Sequence, residues 1–347
     1  MFQALWSYQR TISGIAMVVG APYLLSAAGA ENFYSEKKID LIVGAAAGGG
    51  YDTYARAIAK YMPRHTPGNP QIVIRYMPGA GSAIAARYAY NVAPNDGLTI
   101  VALTPGSVMG KLIDDKVTAL YDPTRFVYFG TADDSVRLCI TYKTSPVKTY
   151  EDALTHQAIL GASGTGGGSR DYAALHTHVN KRKFKIVTGY KGTADTFLAM
   201  EQGEIDGVCG ISMSSIAATR PNWIQDKSIN ILVQDSAEPD IELTRNGVPH
   251  VLNFIKDADD RKAAQLVVSQ STFSRPYAVG PNTPSERVNI LRGSFMQALA
   301  DKDLLVEAEK LKIDIKPLSG EKVQQLVQEL HTDSSDVIRR SRQIVEP

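Results

Sequence analysis

The chain has 347 residues, with 37 Lys and Arg against 36 Asp and Glu. So even a balance carries no electrostatic footprint for nucleic acid or an anionic membrane surface, and any anionic ligand must be held by local donors. The N-terminal stretch comes first in the chain. Arg10 is the only charged residue of positions 1–30, "ISGIAMVVGAPYLLSA" is apolar, and Ala28-Gly29-Ala30 supplies a small-x-small pattern before Glu31. This reads as a cleaved secretory signal peptide, with Pro22 interrupting a run already short for the roughly 20 residues of a membrane span. The chain beyond residue 30 is long enough for two domains of about 150 residues each, placed outside the cytoplasm.

"KIDLIVG" (38–44) is a buried-strand run that enters "AAAGGGYD" (45–52). From Asp52, a candidate N-cap, Tyr54, Ala55, Ile58, Ala59 and Met62 fall at helical spacing until Pro63. "QIVIRY" (71–76) is the second strand, "MPGAGS" (77–82) a turn, and "AIAARYAYNVA" (83–93) a helix in which Tyr88 and Tyr90 read as packing residues. "LTIVAL" (98–103) is the third strand, and "TPGS" (104–107) the turn after it, with Thr104 and Ser107 as its hydroxyls. Beyond residue 135 the pattern resumes with the strand "RLCITY" (137–142) and a short helix "TYEDALT" (149–155). The strand "AILGA" (158–162) ends in "SGTGGGS" (163–169), followed by a helix over 170–180. "KIVTGY" (185–190) runs into "KGTAD" (191–195) and a helix over 196–203, and "IDGVCGI" (205–211) opens on "SMSS" (212–215). "INILVQ" (229–234) closes the set.

Alternating strands and helices with short connections predict parallel-rich sheets covered by helices, an α/β architecture. In such sheets ligands bind outside the carboxyl ends of the strands, where each of these small-residue turns lies. Glycines there let backbone amides approach a ligand closely. A helix N-terminus offers unpaired N–H groups and partial positive charge, so an anion docks without any Lys or Arg. The candidate binding residues are accordingly Ala47, Gly48, Gly49, Gly50, Tyr51 and Asp52 in the first turn, and Thr104 and Ser107 in the third. The second half adds Ser163, Gly164, Thr165, Gly167, Gly168 and Ser169, then Lys191, Gly192 and Thr193, then Ser212. Amides of 48–52 and 164–169 are expected to carry recognition of a carboxylate, with the hydroxyls of Ser163, Thr165 and Ser169 assisting.

Catalytic alternatives fit less well. "GAAAGGG" lacks the G-x-G-x-x-G spacing because position 46 is Ala, and Arg75 and Tyr76 stand where a dinucleotide fold places an acid. "SGTGGGS" is not followed by Lys-Ser or Lys-Thr, and Gly161-Ala162-Ser163-Gly164-Thr165 is not a nucleophile elbow. The six histidines (65, 156, 176, 178, 250 and 331) read as solvent-facing, and His176 and His178, two apart on a helix, do not share a face for a metal. No catalytic residue, metal or cofactor is expected. Asp52 and Arg56 suit an i, i+4 ion pair, and "KRK" (181–183) a solvated helix end. Cys139 and Cys209 lie in apolar strand-like runs, where one disulfide and two buried thiols are both natural.

Four stretches taken together carry a resemblance: "IVGAAAGGGYDTYAR", "NPQIVIRYMPGAGSAIAARYAYNVAPNDGLTI", "GASGTGGGSRDYAAL" and "GYKGTADTFLAMEQGEIDG". In this order they resemble the signatures of the Bug/TctC family, the extracytoplasmic solute receptors of tripartite tricarboxylate transporters, over about residues 38–330. The resemblance implies a two-lobed periplasmic-binding-protein type II fold, a Venus flytrap. Residues 31–135 and 273–347 would form lobe one and 136–272 lobe two. It further implies a monomeric periplasmic receptor that takes a small di-, tri- or aromatic carboxylate and hands it to membrane permease subunits. A role as the ligand-loaded subunit of a sensor is the alternative. Two departures touch the implied pocket: Gly50-Tyr51 stands where relatives carry small hydroxyl residues, and Arg275 where an aromatic is common. Tyr51 and Arg275 are expected either to grip a second carboxylate or an aromatic body, or to serve as a packing residue and an interlobe bridge.

Overall fold

The computed structural model describes residues 33–114, 120–164 and 167–346. The expected signal peptide and Thr165 lie outside the described residues. In the first lobe β1 (Lys38–Val43) leads through the glycine turn to α1 (Gly50–Tyr61), β2 (Gln71–Tyr76) to α2 (Ala83–Asn91), and β3 (Thr99–Ala102) to α3 (Pro105–Ile113), before β4 (Val127–Thr131). The second lobe holds β5 (Arg137–Tyr142), β6 (Ala158–Ala162), α4 (Gly168–His178), β7 (Phe184–Thr188), α5 (Thr193–Glu201) and β8 (Gly207–Ile211). It continues with α6 (Met213–Thr219), β9 (Ile229–Asp235), α7 (Ile241–Arg245) and α8 (Ala258–Val268). The chain then returns through β10 (Pro276–Val279), α9 (Ser285–Leu299), α10 (Lys302–Leu311), β11 (Leu318–Ser319), α11 (Gly320–His331) and α12 (Ser335–Val345). The expected short helix at 149–155 is a single 3-10 turn, Asp152–Leu154.

Two sheets result, ordered β11-β4-β10-β3-β1-β2 and β7-β6-β8-β5-β9. β1 pairs in parallel with β2 and β3, and β6 with β7 and β8, as the alternating pattern predicts. The sheets are mixed, however. β5 runs antiparallel to β8 and β9, and β10 antiparallel to β3 and β4. The cause is the crossing between lobes. A strand arriving from the other lobe enters at the edge where the parallel strands end, so it runs against them.

The core forms three apolar clusters, and the first contains residues of both lobes, Ile42 and Val101 as well as Leu160 and Leu232. Helix α12 helps to weld it. Ile344 and Val345 are buried, the Ser341 hydroxyl donates to the Ala263 carbonyl at 3.1 Å, and Arg342 donates to the Leu112 carbonyl at 2.9 Å. The last helix, assigned to lobe one by resemblance, thus packs on α8 and α4 of the second lobe and reaches α3 of the first.

Cys139 on β5 and Cys209 on β8 are joined by a disulfide, both fully buried. His176 lies within 4.8 Å of this pair. That proximity escapes the sequence because three elements supply it, but both sulfurs are spent in the disulfide. His176 is not solvent-facing. It is fully buried, with Nδ1 2.8 Å from the Tyr150 hydroxyl and Nε2 3.2 Å from Asp235. Arg182 of "KRK" is also buried, stacked 3.9 Å from the centre of the Tyr150 ring, where cation–π attraction replaces the expected solvation. Among the described residues no helix is long and apolar enough to cross a membrane.

Candidate ligand-binding cleft

A cavity of about 280 Å³ opens where the strand ends of the two sheets face each other. Small-ligand pockets start near 300 Å³, so it suits a ligand of few atoms. The first lobe contributes Gly49, Gly50 and Tyr51 at the start of α1, the turn Gly79–Ser82, and Thr104 with Pro105 and Gly106 at the start of α3. From the second come Ser163, Gly164, Gly167, Gly168 and Ser169 around the start of α4, and Lys191, Gly192 and Thr193 at the start of α5. Gly49, Thr104, Gly167 and Gly192 are the N-cap residues of these four helices. Four helix N-termini therefore meet one small cavity, and each leaves backbone N–H groups without partners in its own helix.

The local chemistry explains how the turns hold. Gly50 is required by close approach: a Cβ there would lie 2.4 Å from Ser215 Oγ and 3.0 Å from Arg275 Nη2. The Ser169 hydroxyl accepts the Ser163 N–H at 2.9 Å and meets Ser163 Oγ at 3.0 Å, which closes the glycine turn. Thr104 faces the cavity but donates its hydroxyl to the Gly81 carbonyl at 2.8 Å.

Six of the described candidates do not line the cavity. Ala47 and Gly48 sit behind it on the exposed side of the turn. Asp52 is no N-cap; it is the third helical residue and reaches back, accepting the Gly48 N–H at 2.8 Å and the Tyr76 hydroxyl at 2.6 Å while pairing with Arg56 at 2.8 Å. This braces the turn in the manner of a capping box. Ser107 returns its hydroxyl to the Thr104 carbonyl at 2.8 Å, and Ser212 caps α6 by accepting the Ser215 N–H at 3.2 Å.

Arg275 is the sixth. It is 1% exposed, ion-paired with buried Asp133, and lies 4.0 Å over the Tyr54 ring. Its Nη2 donates to Ser212 Oγ at 3.2 Å and Ser214 Oγ at 3.1 Å on the second lobe. Burial opposes the charge, and Asp133 with the Tyr54 and Tyr51 phenols outweighs it, so the guanidinium pKa is raised. Arg275 bridges the lobes and does not reach the cleft. Tyr51 lines the cavity and donates its hydroxyl to the Ser274 carbonyl at 3.0 Å.

The cleft also holds residues that sequence reasoning missed. Arg137, 4% exposed, lines it from the first position of β5, joined by Tyr172, Gln270 and Ser82. Burial raises the Tyr172 pKa, which keeps its hydroxyl protonated at neutral pH. The Tyr172 hydroxyl, Gln270 Oε1 and Ser82 Oγ are buried without a partner among the described residues. Tyr172 stands one turn after Ser169 on α4, a spacing that was there to be read; Gln270 carried no such signal. Of the described lining residues none is Asp or Glu, and Arg137 and Lys191 are the cations.

No family model matches the chain. A protein of Agrobacterium vitis described as "UPF0065 protein in the TAR-I ttuE-ttuC' intergenic region" is 25% identical over 243 residues, 67% of this chain and 68% of its own length. Among solved structures, MatC (Rpa3494) from Rhodopseudomonas palustris, with bound malate, matches with a TM-score of 0.67 and 21% identity over 89% of this chain and 99% of that one. The periplasmic binding protein BugD matches with a TM-score of 0.67 and 18% identity over 90% and 98%. The two-lobed α/β fold is that of these binding proteins, and the resemblance to Bug/TctC receptors read from the four glycine-rich stretches holds.

Proposed function

We propose that this chain, which shares the fold of MatC and BugD, is an extracytoplasmic solute receptor. It captures a small organic acid between its lobes and delivers it to a membrane transporter component. The observation that carries this reading is the meeting of four helix N-termini and two cations in one cavity whose described lining has no acidic side chain. Because the chain as a whole is electrically balanced, this positive bias is local to the cleft. Amide donors aimed at a site favour an anion through both hydrogen bonding and the helix dipoles. The malate in MatC supports the same class of ligand. Binding without turnover, residence in the periplasm and a monomeric state belong to this proposal.

A thermal-shift screen of mono-, di- and tricarboxylates, aromatic acids, sugars and amines tests it. A ligand at a hundred times its Kd stabilises by about 2.7 kcal/mol, well above detection. At least one carboxylate is expected to raise the melting point. Shifts confined to sugars or amines would overturn the acid reading, and conversion of the bound acid to another compound would overturn the receptor reading.

A further inference from the structure

We propose that Arg137 is the specificity-determining residue of the cleft: its guanidinium, beside the Tyr172 hydroxyl, seats one acidic group of the ligand at the cavity floor. This rests on reading the cleft as an organic-acid site. A guanidinium carries five N–H donors and cannot be discharged at any physiological pH. In Arg137 one of them donates to the Ser274 carbonyl at 3.2 Å, and it forms no ion pair among the described residues. Asp235, opposite it in the β5–β9 register, makes no ion pair with Arg137 among the described residues: His176 Nε2 stands 3.2 Å from its Oδ2, and its Oδ1 is buried without a hydrogen bond. Arg275, at the neighbouring crossing, has its carboxylate in Asp133. A buried cation without an anion is costly, so the contrast between these two arginines says that the partner of Arg137 arrives from outside.

Tyr172 strengthens the assignment. Its hydroxyl is buried, unpartnered among the described residues and close enough to feel the Arg137 charge. A carboxylate has two oxygens, and a bidentate guanidinium with a phenol donor satisfies both. The backbone amides at the helix starts then remain free for a second acidic group, with exposed Lys191 above them. Two cations and no acid in the described lining are neutralised by a dianion and not by a monoanion. The cleft should therefore rank diacids above monoacids of equal length.

The test is calorimetric titration of the wild-type chain with succinate, glutarate and adipate and with butyrate, valerate and caproate, repeated on Arg137→Gln and Arg137→Lys. Truncating one partner of a buried, hydrogen-bonded charge pair speeds release and weakens binding by roughly tens to thousands of fold. The wild type should prefer at least one diacid over its monoacid counterpart by about tenfold or more. Arg137→Gln should erase that preference, and Arg137→Lys should retain only part of it, while Arg137→Lys melts as the wild type does without ligand. Diacid affinity unchanged in a folded Arg137 variant would overturn the role of Arg137 and leave the organic-acid reading standing. Equal wild-type affinity for diacids and monoacids would do the same without any variant. Binding of none of the acids by the wild type would instead bring down the organic-acid reading.

Discussion

Two arginines stand where the chain crosses between lobes, Arg137 at the start of β5 and Arg275 just before β10, and nothing in their immediate sequences separates them. What separates them is Asp133, which lies at the first crossing but turns its carboxylate to the arginine of the second. Removing one partner of a buried pair strands the other charge, which costs about 3–5 kcal/mol. Arg275→Met should lower the stability of the unliganded protein by about that amount in a chemical-denaturation series; a loss within error would contradict the bridging role. The sequence singles out Arg275 only through a departure from relatives. The choice between gripping a ligand and bridging the lobes needs the position of Asp133 in space. Asp171, fully buried on α4, raises a second question of charge. Burial pushes its carboxyl up to about 7, with Arg170 opposing and Asp114 adding to the rise. An unfolded Asp titrates near about 4, so between about 4 and 7 the folded state holds a proton that the unfolded state has released. Stability from this group is therefore greatest below about pH 4 and falls as pH rises to about 7, by an amount on the order of 4 kcal/mol. Asp171→Asn should remove that slope. Denaturant midpoints at acidic and mildly alkaline pH check it: the variant should gain on the wild type as pH rises, and a constant gap would clear Asp171.

At the scale of elements, the strands were the most legible part. "QIVIRY", "RLCITY" and "AILGA" are strands over the same residues in the structure, because short apolar runs of this length between polar and turn-forming segments admit few alternatives. Most helix starts were legible to within two or three residues, since glycines and hydroxyl residues between strand and helix mark a turn, but α3 begins at Pro105, inside a stretch read as a turn alone. Which strands run antiparallel was not legible, because direction depends on the lobe from which a strand arrives. Nor was Gln270 as a cleft residue, since the face a helix residue presents is decided by docking and not by its neighbours in sequence. The glycine turn before α4 allows a selective test. A Cβ at Gly164 would meet nothing within 4 Å, whereas one at Gly167 would lie 1.8 Å from Ser163 Oγ and 2.7 Å from its Cβ. Gly164→Val should therefore fill the cleft and leave the turn intact. The expected outcome is an unchanged melting point without ligand and affinity for the best acid reduced about tenfold or more, as occupying a small cavity with two methyl groups displaces ligand atoms directly. Native affinity in this variant would remove the turn from the binding site.

The whole molecule poses the problem of entry. The rims of the two lobes touch over the cavity: a Cβ on Gly192 would lie 3.4 Å from that of Ala46, and one on Gly49 would lie 3.7 Å from that of Thr193. Contacts this close narrow the way into the cavity of about 280 Å³, and a ligand passes more readily if the rims part. The described links between lobes include the two crossings, helix α12, which packs on helices of both, the Arg275 contacts to Ser212 and Ser214, and the buried Arg170–Asp114 pair. Rotation about such links is a hinge motion, in which a few residues at the ends of elements absorb the change. The geometry at the rim supplies its own probe. Disulfides form at Cβ separations of about 3.5–4.5 Å, and the Gly49–Thr193 separation falls inside that range. Gly49 has φ −109° and ψ −179°, extended backbone that cysteine adopts without strain. Gly49→Cys with Thr193→Cys should therefore oxidise to a bond across the mouth, while the native Cys139–Cys209 bridge, buried in the core, resists mild reductant. The oxidised variant should take up the best carboxylate of the screen far more slowly than the wild type, and mild reduction should restore the native association rate in stopped-flow measurements. If the locked form binds as fast as the reduced one, ligand reaches the cleft without parting the lobes, and capture does not depend on the hinge.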